Sequence, residues 1–199
     1  MRSLLAQAGV YSLFARVVGA TRARRLHVAR YIRPKAGDRI LDIGCGPGDI
    51  LEALPAVDYH GFDLSPAYIE AARRKFGARG EFHVEAVNRE LVKKYAGFDL
   101  VLATGVLHHL SDIEVVDLME VASAALKPGG RLVTLDGCFV PGQSAGARFF
   151  LKKDRGEHVR EEAAYVALAR RVFAVVHPVV TTELLRIPYT HLVMECSQS

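Results

Sequence analysis

The clearest chemical signal in this chain is three glycines at alternate positions, Gly44, Gly46 and Gly48, which directly follow the apolar segment 39–43. Glycine has no Cβ, so a backbone that turns at these positions can touch a ligand directly. Asp63 ends the next apolar segment, where a carboxylate can accept hydrogen bonds from both hydroxyl groups of a ribose. Together these residues predict a pocket for a cofactor that carries a nucleoside.

The spacing of the glycines argues against a dinucleotide. The dinucleotide fingerprint is Gly-x-Gly-x-x-Gly, with the pyrophosphate at the N-terminus of the following helix. Here the third glycine, Gly48, comes one residue early and Asp49 takes its place. Because a carboxylate at that helix start would repel a pyrophosphate, the pattern favours a cofactor with a cationic sulfonium and an amino acid tail.

Two histidines, His108 and His109, follow the fourth predicted strand at the edge of the same crevice. Histidine titrates near ~6.5, so either ring could take the proton of a hydroxyl group at neutral pH. The alternative is that one of them packs structurally or contacts the cofactor. The pair is therefore a candidate for general-base chemistry beside the cofactor.

Alternating strands and helices must position these residues. Five apolar segments are predicted as strands, at 39–43, 59–63, 81–85, 98–103 and 131–136. Ser65 and Ser111 begin two of the intervening helices as N-caps. This alternation predicts an α/β fold with a doubly wound parallel sheet and helices on both faces, in which ligands bind beyond the carboxyl ends of the strands.

The ends of the chain add further elements to this core. Helical periodicity covers 4–18 and 21–31, and helices broken around Gly156 are expected across 145–173. Two closing strands are predicted at 175–183 and 190–196. Their connection is too short for a parallel crossover, so we expect an antiparallel hairpin.

Composition limits the class of protein. The chain has 199 residues, of which 50% are hydrophobic and 24% charged, as in an ordinary globular domain. Its net charge of +4 does not by itself indicate nucleic acid. The cysteines Cys45, Cys138 and Cys196 form neither a disulfide framework nor a zinc spacing, which favours a cytoplasmic protein. No apolar run is long enough to span a membrane.

Several ordered motifs resemble the class I S-adenosylmethionine-dependent methyltransferases. They are Leu-Asp-Ile-Gly-Cys-Gly-Pro-Gly at 41–48, Gly-Phe-Asp-Leu-Ser at 61–65, Phe-Asp-Leu-Val-Leu at 98–102, Val-Leu-His-His-Leu at 106–110 and Leu-Lys-Pro-Gly-Gly-Arg-Leu at 126–132. The resemblance covers roughly 39–136. It implies a seven-stranded Rossmann-like sheet in the order 3-2-1-4-5-7-6 with strand 7 antiparallel.

The resemblance also implies a domain plan. Residues 1–199 are expected to form a single methyltransferase domain. Within it, 1–33 would be an N-terminal helical cap, 39–136 the cofactor-binding core, and 137–199 the substrate-side helices and the closing β-hairpin. A monomer or a homodimer fits this plan.

By the same resemblance, the donor is S-adenosylmethionine and the product S-adenosylhomocysteine. Asp42 and the turn at 44–48 would hold the methionine part, Asp63 the ribose and Leu64 the adenine. The full set of expected cofactor-binding residues is Asp42, Gly44, Cys45, Gly46, Gly48, Asp63, Leu64, Ala86, Val87, Thr104 and Gly105. Relatives often carry an acid just after strand three, whereas here Glu85, Asn88 or the backbone must serve. In similar methyltransferases the histidine before Leu110 lines the site, which favours His109 over His108 as the base.

The acceptor is expected to contact the N-terminal helices and the segment after strand five. The candidate residues are Tyr11, Arg148, Arg155 and Arg160. Arginine forks suit carboxylates and phosphates, so we expect O-methylation of a small polar acceptor of the sugar, polysaccharide-precursor or natural-product type. Asp136 lacks the neighbouring acid pair of divalent-metal O-methyltransferases, which predicts metal independence.

Three other functions stay open from the sequence. One is a nucleic-acid methyltransferase, although the motif at 104–107 is not the Asn/Asp-Pro-Pro-Tyr type that reads exocyclic amines, and we expect no nucleic acid partner. Another is a non-catalytic S-adenosylmethionine-binding protein. The weakest is an NAD oxidoreductase.

Overall fold

A computed structural model of the chain describes residues 19–153 and 157–198. Its centre is a sheet whose main path runs in the order β3-β2-β1-β4-β5-β8-β7, with the short β6 pairing β5 off this path. The strands are β1 (Arg39–Ile43), β2 (Asp58–Asp63), β3 (Glu81–Val84), β4 (Phe98–Thr104), β5 (Leu126–Phe139), β6 (Arg160–Glu161), β7 (Val175–Thr181) and β8 (His191–Ser197).

The direction of the strands follows the predicted plan. β1 pairs parallel with β2 and with β4, β2 pairs parallel with β3, and β4 pairs parallel with β5. β8 pairs antiparallel with both β5 and β7. The doubly wound fold and its antiparallel last strand are therefore confirmed, once the two-residue β6 is set aside.

Six α-helices surround this sheet in the described part of the chain. They are α1 (Ala20–His27), α2 (Pro66–Phe76), α3 (Arg89–Tyr95), α4 (Asp112–Ala125), α5 (Ala145–Lys153) and α6 (Glu162–Ala169). A π-helical turn, Val28–Ile32, extends α1, and short 3-10 helices occupy Asp49–Glu52 and Leu107–His109. The expected helix at 4–18 and the expected break at Gly156 lie outside the described residues.

Both faces of the sheet are buried, as apolar parallel strands require. Successive residues of β4 belong to opposite cores, with Val101 and Ala103 in one and Leu100 and Leu102 in the other. The first core includes side chains of α3, α4 and α6, and the second includes side chains of the π-helical turn and α2. This burial fixes the strands, so their carboxyl ends form a stable platform.

Two local predictions were incomplete. The short helix α3 was not predicted; Asn88 caps it by accepting a hydrogen bond from the Leu91 backbone N–H at 2.9 Å. β5 begins at Leu126 rather than at residue 131, because its pairing with β4 continues through a register shift from Phe98 opposite Leu126 to Leu100 opposite Arg131. Within the described ranges, no helix has the length and apolar character needed to cross a membrane.

Candidate cofactor crevice and active site

The glycine turn after β1 is tied to β2 and open on its other side. The backbone N–H groups of Gly44 and Cys45 both donate to the Phe62 carbonyl, at 2.8 and 3.0 Å. Gly46 has φ 54°, and a Cβ built there would meet no atom within 4 Å. By contrast, a Cβ on Gly44 would lie 2.6 Å from a methyl carbon of Val106. The turn therefore has no room for a side chain at Gly44, whose backbone is exposed, and has open space beside the half-buried Gly46.

Other residues of the turn have structural partners. Gly48 has φ 72°, and a Cβ there would lie 3.0 Å from the Phe82 ring. Cys45 occupies space that Gly61 leaves, because a Cβ on Gly61 would come within 2.8 Å of the Cys45 sulfur. Burial raises the pKa of the Cys45 thiol. Cys45 is therefore a neutral, half-buried side chain that packs against Gly61, and its predicted contact with the cofactor stays a prediction.

Asp63 lies at the carboxyl end of β2, beside the glycine turn. One carboxylate oxygen accepts from the Gly46 N–H at 2.9 Å, and the other accepts from the Ser65 N–H at 2.8 Å. The next residue, Leu64, is 74% exposed. An anchored carboxylate beside an exposed apolar side chain suits the ribose and adenine of a nucleoside. These residues therefore fit the nucleoside cofactor that the sequence implies.

Asp42 is buried under the same turn. The Tyr59 hydroxyl donates to its carboxylate at 2.6 Å, a contact that sequence reasoning missed. Burial raises the pKa of Asp42 to about 7, against the effect of the Tyr59 hydrogen bond and with a further contribution from the Asp63 charge. Asp42 thus gains or loses a proton near neutral pH.

The segment after β3 was predicted to contact the adenine, and this stays a prediction. Ala86 is exposed and Val87 is half-buried against the core. The side-chain oxygen of Asn88 is engaged as the cap of α3. Glu85 is exposed at the end of β3, so it and the backbone are the better candidates for the adenine amino group.

The carboxyl end of β4 contributes a polar atom that has no hydrogen-bond partner among the described residues. The Thr104 hydroxyl is buried and makes no hydrogen bond. Gly105 follows with φ 71°, and its N–H donates to the Leu135 carbonyl at 2.7 Å. Because a buried, unpaired hydroxyl is costly, Thr104 is well suited to a polar ligand group.

His108 and His109 occupy different environments. His108 is buried, and its Nδ1 lies 2.8 Å from a carboxylate oxygen of Asp136, which also accepts from the His108 backbone N–H at 3.2 Å. His109 is exposed, and the centroids of the two rings are 4.1 Å apart. The pairing of Asp136 with His108 was not predicted, although Asp136 ends the predicted fifth strand, which lies beside the fourth.

Arg160 joins β6 to the loop that carries the two histidines. Its guanidinium donates to the carbonyls of Leu107 and Leu110, at 3.0 and 2.6 Å, and to the Asp112 carboxylate at 2.8 Å. Its side chain is 9% exposed. The structure thus gives Arg160 a positioning role, and its predicted contact with the acceptor stays a prediction.

The remaining predicted acceptor residues are placed only in part. Arg148 is exposed on α5, with its guanidinium 5.5 Å from the centre of the Phe139 ring. Tyr11 and Arg155 lie outside the described residues. The predicted acceptor set is therefore not brought together by the described part of the chain.

Asp49 is weaker evidence against a pyrophosphate than the sequence suggested. Lys75 lies 2.9 Å from its carboxylate and Arg24 lies 3.7 Å from it. These cations compensate the charge that was expected to repel a pyrophosphate. The choice of cofactor consequently depends on the rest of the crevice and on the relatives of the chain.

Residues 41–132 match a family model described as a methyltransferase domain. A ubiquinone biosynthesis O-methyltransferase of Xylella fastidiosa is 34% identical over 104 residues, which are 50% of this chain and 42% of that protein. A malonyl-[acyl-carrier protein] O-methyltransferase of Legionella pneumophila is 30% identical over 135 residues, which are 65% of this chain and 44% of that protein. The matched stretch thus spans less than half the length of these curated relatives.

Solved structures share the fold at low sequence identity. The apo S-adenosylmethionine-dependent methyltransferase SibL superposes with a TM-score of 0.70 at 19% identity, covering 88% of this chain and 55% of that one. A TehB-like S-adenosylmethionine-dependent methyltransferase from Corynebacterium glutamicum gives 0.65 at 18% identity, covering 98% and 99%.

The sheet order, the open glycine turn and the acid at the end of β2 define the Rossmann-like class of nucleoside-cofactor proteins. Within that class, residues 41–132 match a methyltransferase domain, and the chain shares its fold with solved S-adenosylmethionine-dependent methyltransferases.

Proposed function

We propose that this chain transfers a methyl group from S-adenosylmethionine to an oxygen of a small polar acceptor. The observation that carries the proposal is the crevice formed by Gly46, Asp63 and Leu64, next to the loop that holds His108 and His109. Relatives over the same core are named O-methyltransferases, which supports oxygen as the atom methylated.

The chain's own residues would hold the cofactor as follows. Asp63 is anchored by two backbone N–H groups and presents its carboxylate to a ribose, and Leu64 offers an exposed apolar face to adenine. Asp42, Gly46 and Thr104 lie toward the methionine part. When bound, S-adenosylmethionine supplies an electrophilic methyl group on a cationic sulfonium.

Holding the acceptor oxygen in line with the donor lowers the activation barrier more than a general base does. Well-oriented proximity can contribute ~7–11 kcal/mol, whereas a general base typically adds about 10²–10⁴-fold. Arg160 contributes to the first effect, because it fixes the backbone at Leu107 and Leu110 on either side of the histidines.

We assign the proton-accepting step to His109, with His108 as its positioning residue. The Asp136 carboxylate accepts from His108 Nδ1 and so fixes the tautomer and the orientation of that ring. The exposed His109 ring lies beside it, with the two ring centroids 4.1 Å apart, and we propose that His109 takes the proton of the acceptor hydroxyl.

The acceptor is proposed to be a small polar or anionic molecule. Two relatives are named a ubiquinone biosynthesis O-methyltransferase and a malonyl-[acyl-carrier protein] O-methyltransferase, which supports an acceptor other than nucleic acid. Arg148 on α5 supplies an exposed guanidinium, and Tyr11 and Arg155 stay predicted contacts. A sugar, polysaccharide precursor or natural product fits, and we propose that nucleic acid does not.

We further propose a cytoplasmic enzyme that works as a monomer or homodimer. Its support is the thiol chemistry: Cys45, Cys138 and Cys196 are free, and burial raises the pKa of Cys138 and of Cys196 to about 12. Free thiols persist in a reducing compartment, which is the support for the cytoplasm.

Calorimetry with the full chain tests the cofactor. S-adenosylhomocysteine should bind and NAD should not. Binding of NAD alone would overturn the proposal. Salt-dependent RNA binding, measured in parallel, would instead favour a nucleic-acid substrate.

Turnover with S-adenosylmethionine and a panel of hydroxyl acceptors tests the chemistry. For His109→Ala we expect kcat to fall about 10²–10⁴-fold while the affinity for S-adenosylhomocysteine changes little. The matched control is His177→Ala, an exposed histidine on β7 that should leave both quantities unchanged. If His109→Ala turns over like the wild type, His109 is not the base.

A further inference from the structure

A second cluster of chemically active side chains joins the neighbouring strands β2 and β3. His60 on β2 pairs in register with Glu81 on β3, and Phe62 pairs with His83. One ligand atom from each of His60, Glu81 and His83 lies within 4.8 Å of the others. None of the three has a role in the proposed methyl transfer.

His60 is buried without a hydrogen bond. Its residue is 6% exposed, and neither ring nitrogen has a hydrogen-bond partner. The rings of Tyr95 and Phe98 pack around it, with centroids 5.7 and 5.6 Å away. A buried ring nitrogen without a hydrogen bond is costly, so a ligand at His60 Nδ1 would be favourable.

His83 shows the same feature on the neighbouring strand. Its Nε2 is buried and has no hydrogen bond. The ring is stacked on Phe62, with centroids 4.5 Å apart and planes 15° apart, so its orientation is fixed.

We propose that His60, Glu81 and His83 form a binding site for a divalent transition metal ion, for which Zn²⁺ is the best match. Two imidazoles and one carboxylate are a ligand set that zinc accepts, with Zn–N of about 2.0–2.1 Å. In a tetrahedral site such bonds place neighbouring ligand atoms about 3.3 Å apart. Here Glu81 Oε2 lies 3.5 Å from His60 Nδ1 and 3.7 Å from His83 Nε2.

A second carboxylate supports the same assignment. His60 Nε2, the nitrogen that would not bind the metal, lies 3.1 Å from Asp58 Oδ1, although the ring is not turned to make a hydrogen bond. Metal-bound histidines commonly donate their other N–H to a carboxylate.

The surface position of Glu81 provides an entry path. Its side chain is 64% exposed at the outer strand of the sheet, so a fourth ligand can come from solvent. A metal held there would cross-link β3, which ends the sheet, to β2. Its role is to stabilise that edge, and it leaves the predicted metal independence of the transfer step untouched.

Thermal unfolding of the tag-free full chain, stripped with EDTA and titrated with ZnCl₂ or MgCl₂, tests the site. At a hundredfold excess over Kd, Zn²⁺ should raise Tm by roughly 5–10 °C, and Mg²⁺ should not. Co²⁺ should give the visible absorption of a tetrahedral nitrogen–oxygen site.

Variants separate this site from other metal-binding groups. Glu81→Gln, at an exposed position that should not impair folding, and His83→Gln should each abolish the Zn²⁺ shift and the Co²⁺ absorption. The control is His177→Gln, because His177 also pairs in register with a glutamate, Glu195, at the other edge of the sheet. It should keep both signals. No Zn²⁺ shift in the wild type, or an equal shift in Glu81→Gln, would overturn the proposal.

Discussion

Asp42 combines two demands that conflict. It is buried next to the Tyr59 hydroxyl, yet the cofactor crevice needs a carboxylate on the methionine side. Since burial raises its pKa to about 7, the folded protein binds a proton there that the unfolded chain releases near 3.8. The contribution of Asp42 to stability is therefore full at low pH and is lost as the pH rises toward 7.

Asp42→Asn should remove this pH dependence, because the amide stays neutral and can still accept from Tyr59. We expect the Tm of Asp42→Asn minus that of the wild type to grow by roughly 5–10 °C between about pH 5 and about pH 8. Thermal unfolding at both pH values measures it. Asp117→Asn, at an exposed position on α4, is the control and should follow the wild type. Parallel profiles for Asp42→Asn and the wild type would contradict the expectation.

At the residue scale, the sequence was informative where function depends on local backbone. Gly46 and Asp63 were predicted because a turn and a strand end are neighbours in a simple α/β pattern. The contacts of Asp42 with Tyr59 and of His108 with Asp136 were not predicted. Those contacts depend on which strands become neighbours and on the rotation of each side chain, which residue type and spacing do not specify.

At the element scale, two glycines on either side of β1 allow effects on stability and on cofactor binding to be measured separately. Gly37 and Gly46 both have positive φ, 84° and 54°, and a Cβ at either position meets no atom within 4 Å. Alanine at each position therefore costs mainly backbone strain, on the order of 1–2 kcal/mol. Only Gly46 faces the proposed cofactor crevice.

We therefore expect Gly37→Ala and Gly46→Ala to lose similar stability, while Gly46→Ala alone weakens S-adenosylhomocysteine binding by at least about tenfold, since one hydrogen bond or close contact is worth roughly 1.4 kcal/mol. Denaturant unfolding and calorimetry measure the two quantities. Equal affinities for the two variants would show that the ligand does not approach Gly46.

The elements themselves were predictable to different degrees. Ser65 and Ser111 were correctly placed as N-caps, and Ser111 forms a full capping box with Glu114. The seven-residue α3 was missed because it is short and most of its stability comes from packing Leu91 and Val92 into the core. The early start of β5 was missed because Pro128-Gly129-Gly130 is typical of a turn, whereas here it lies within a bulged strand.

At the scale of the whole molecule, Arg160 connects the chain after β5 with the loop after β4. The backbone of His158 next to it also donates to the His108 carbonyl at 2.9 Å. The C-terminal third of the described chain therefore holds the histidine loop against the sheet. This link makes loop geometry depend on a residue about fifty positions away in the sequence.

Arg160→Lys keeps the charge and loses the fork that reaches Leu107, Leu110 and Asp112 together. Because hydrogen bonds from a charged donor contribute about 1.5–3 kcal/mol each, we expect a loss of about 3 kcal/mol in the free energy of unfolding and a lower Tm. We also expect kcat to fall at least about tenfold, since a displaced loop misplaces His109. Affinity for S-adenosylhomocysteine should change little.

Arg74→Lys is the matched control, because Arg74 is exposed on α2 and pairs only across one helical turn with Glu70 among its described ion pairs. It should leave stability and turnover at wild-type values. If Arg160 instead contacted the acceptor directly, Arg160→Lys would raise KM at unchanged Tm. A measured loss of Tm together with a lower kcat and an unchanged KM therefore distinguishes a positioning residue from a substrate contact.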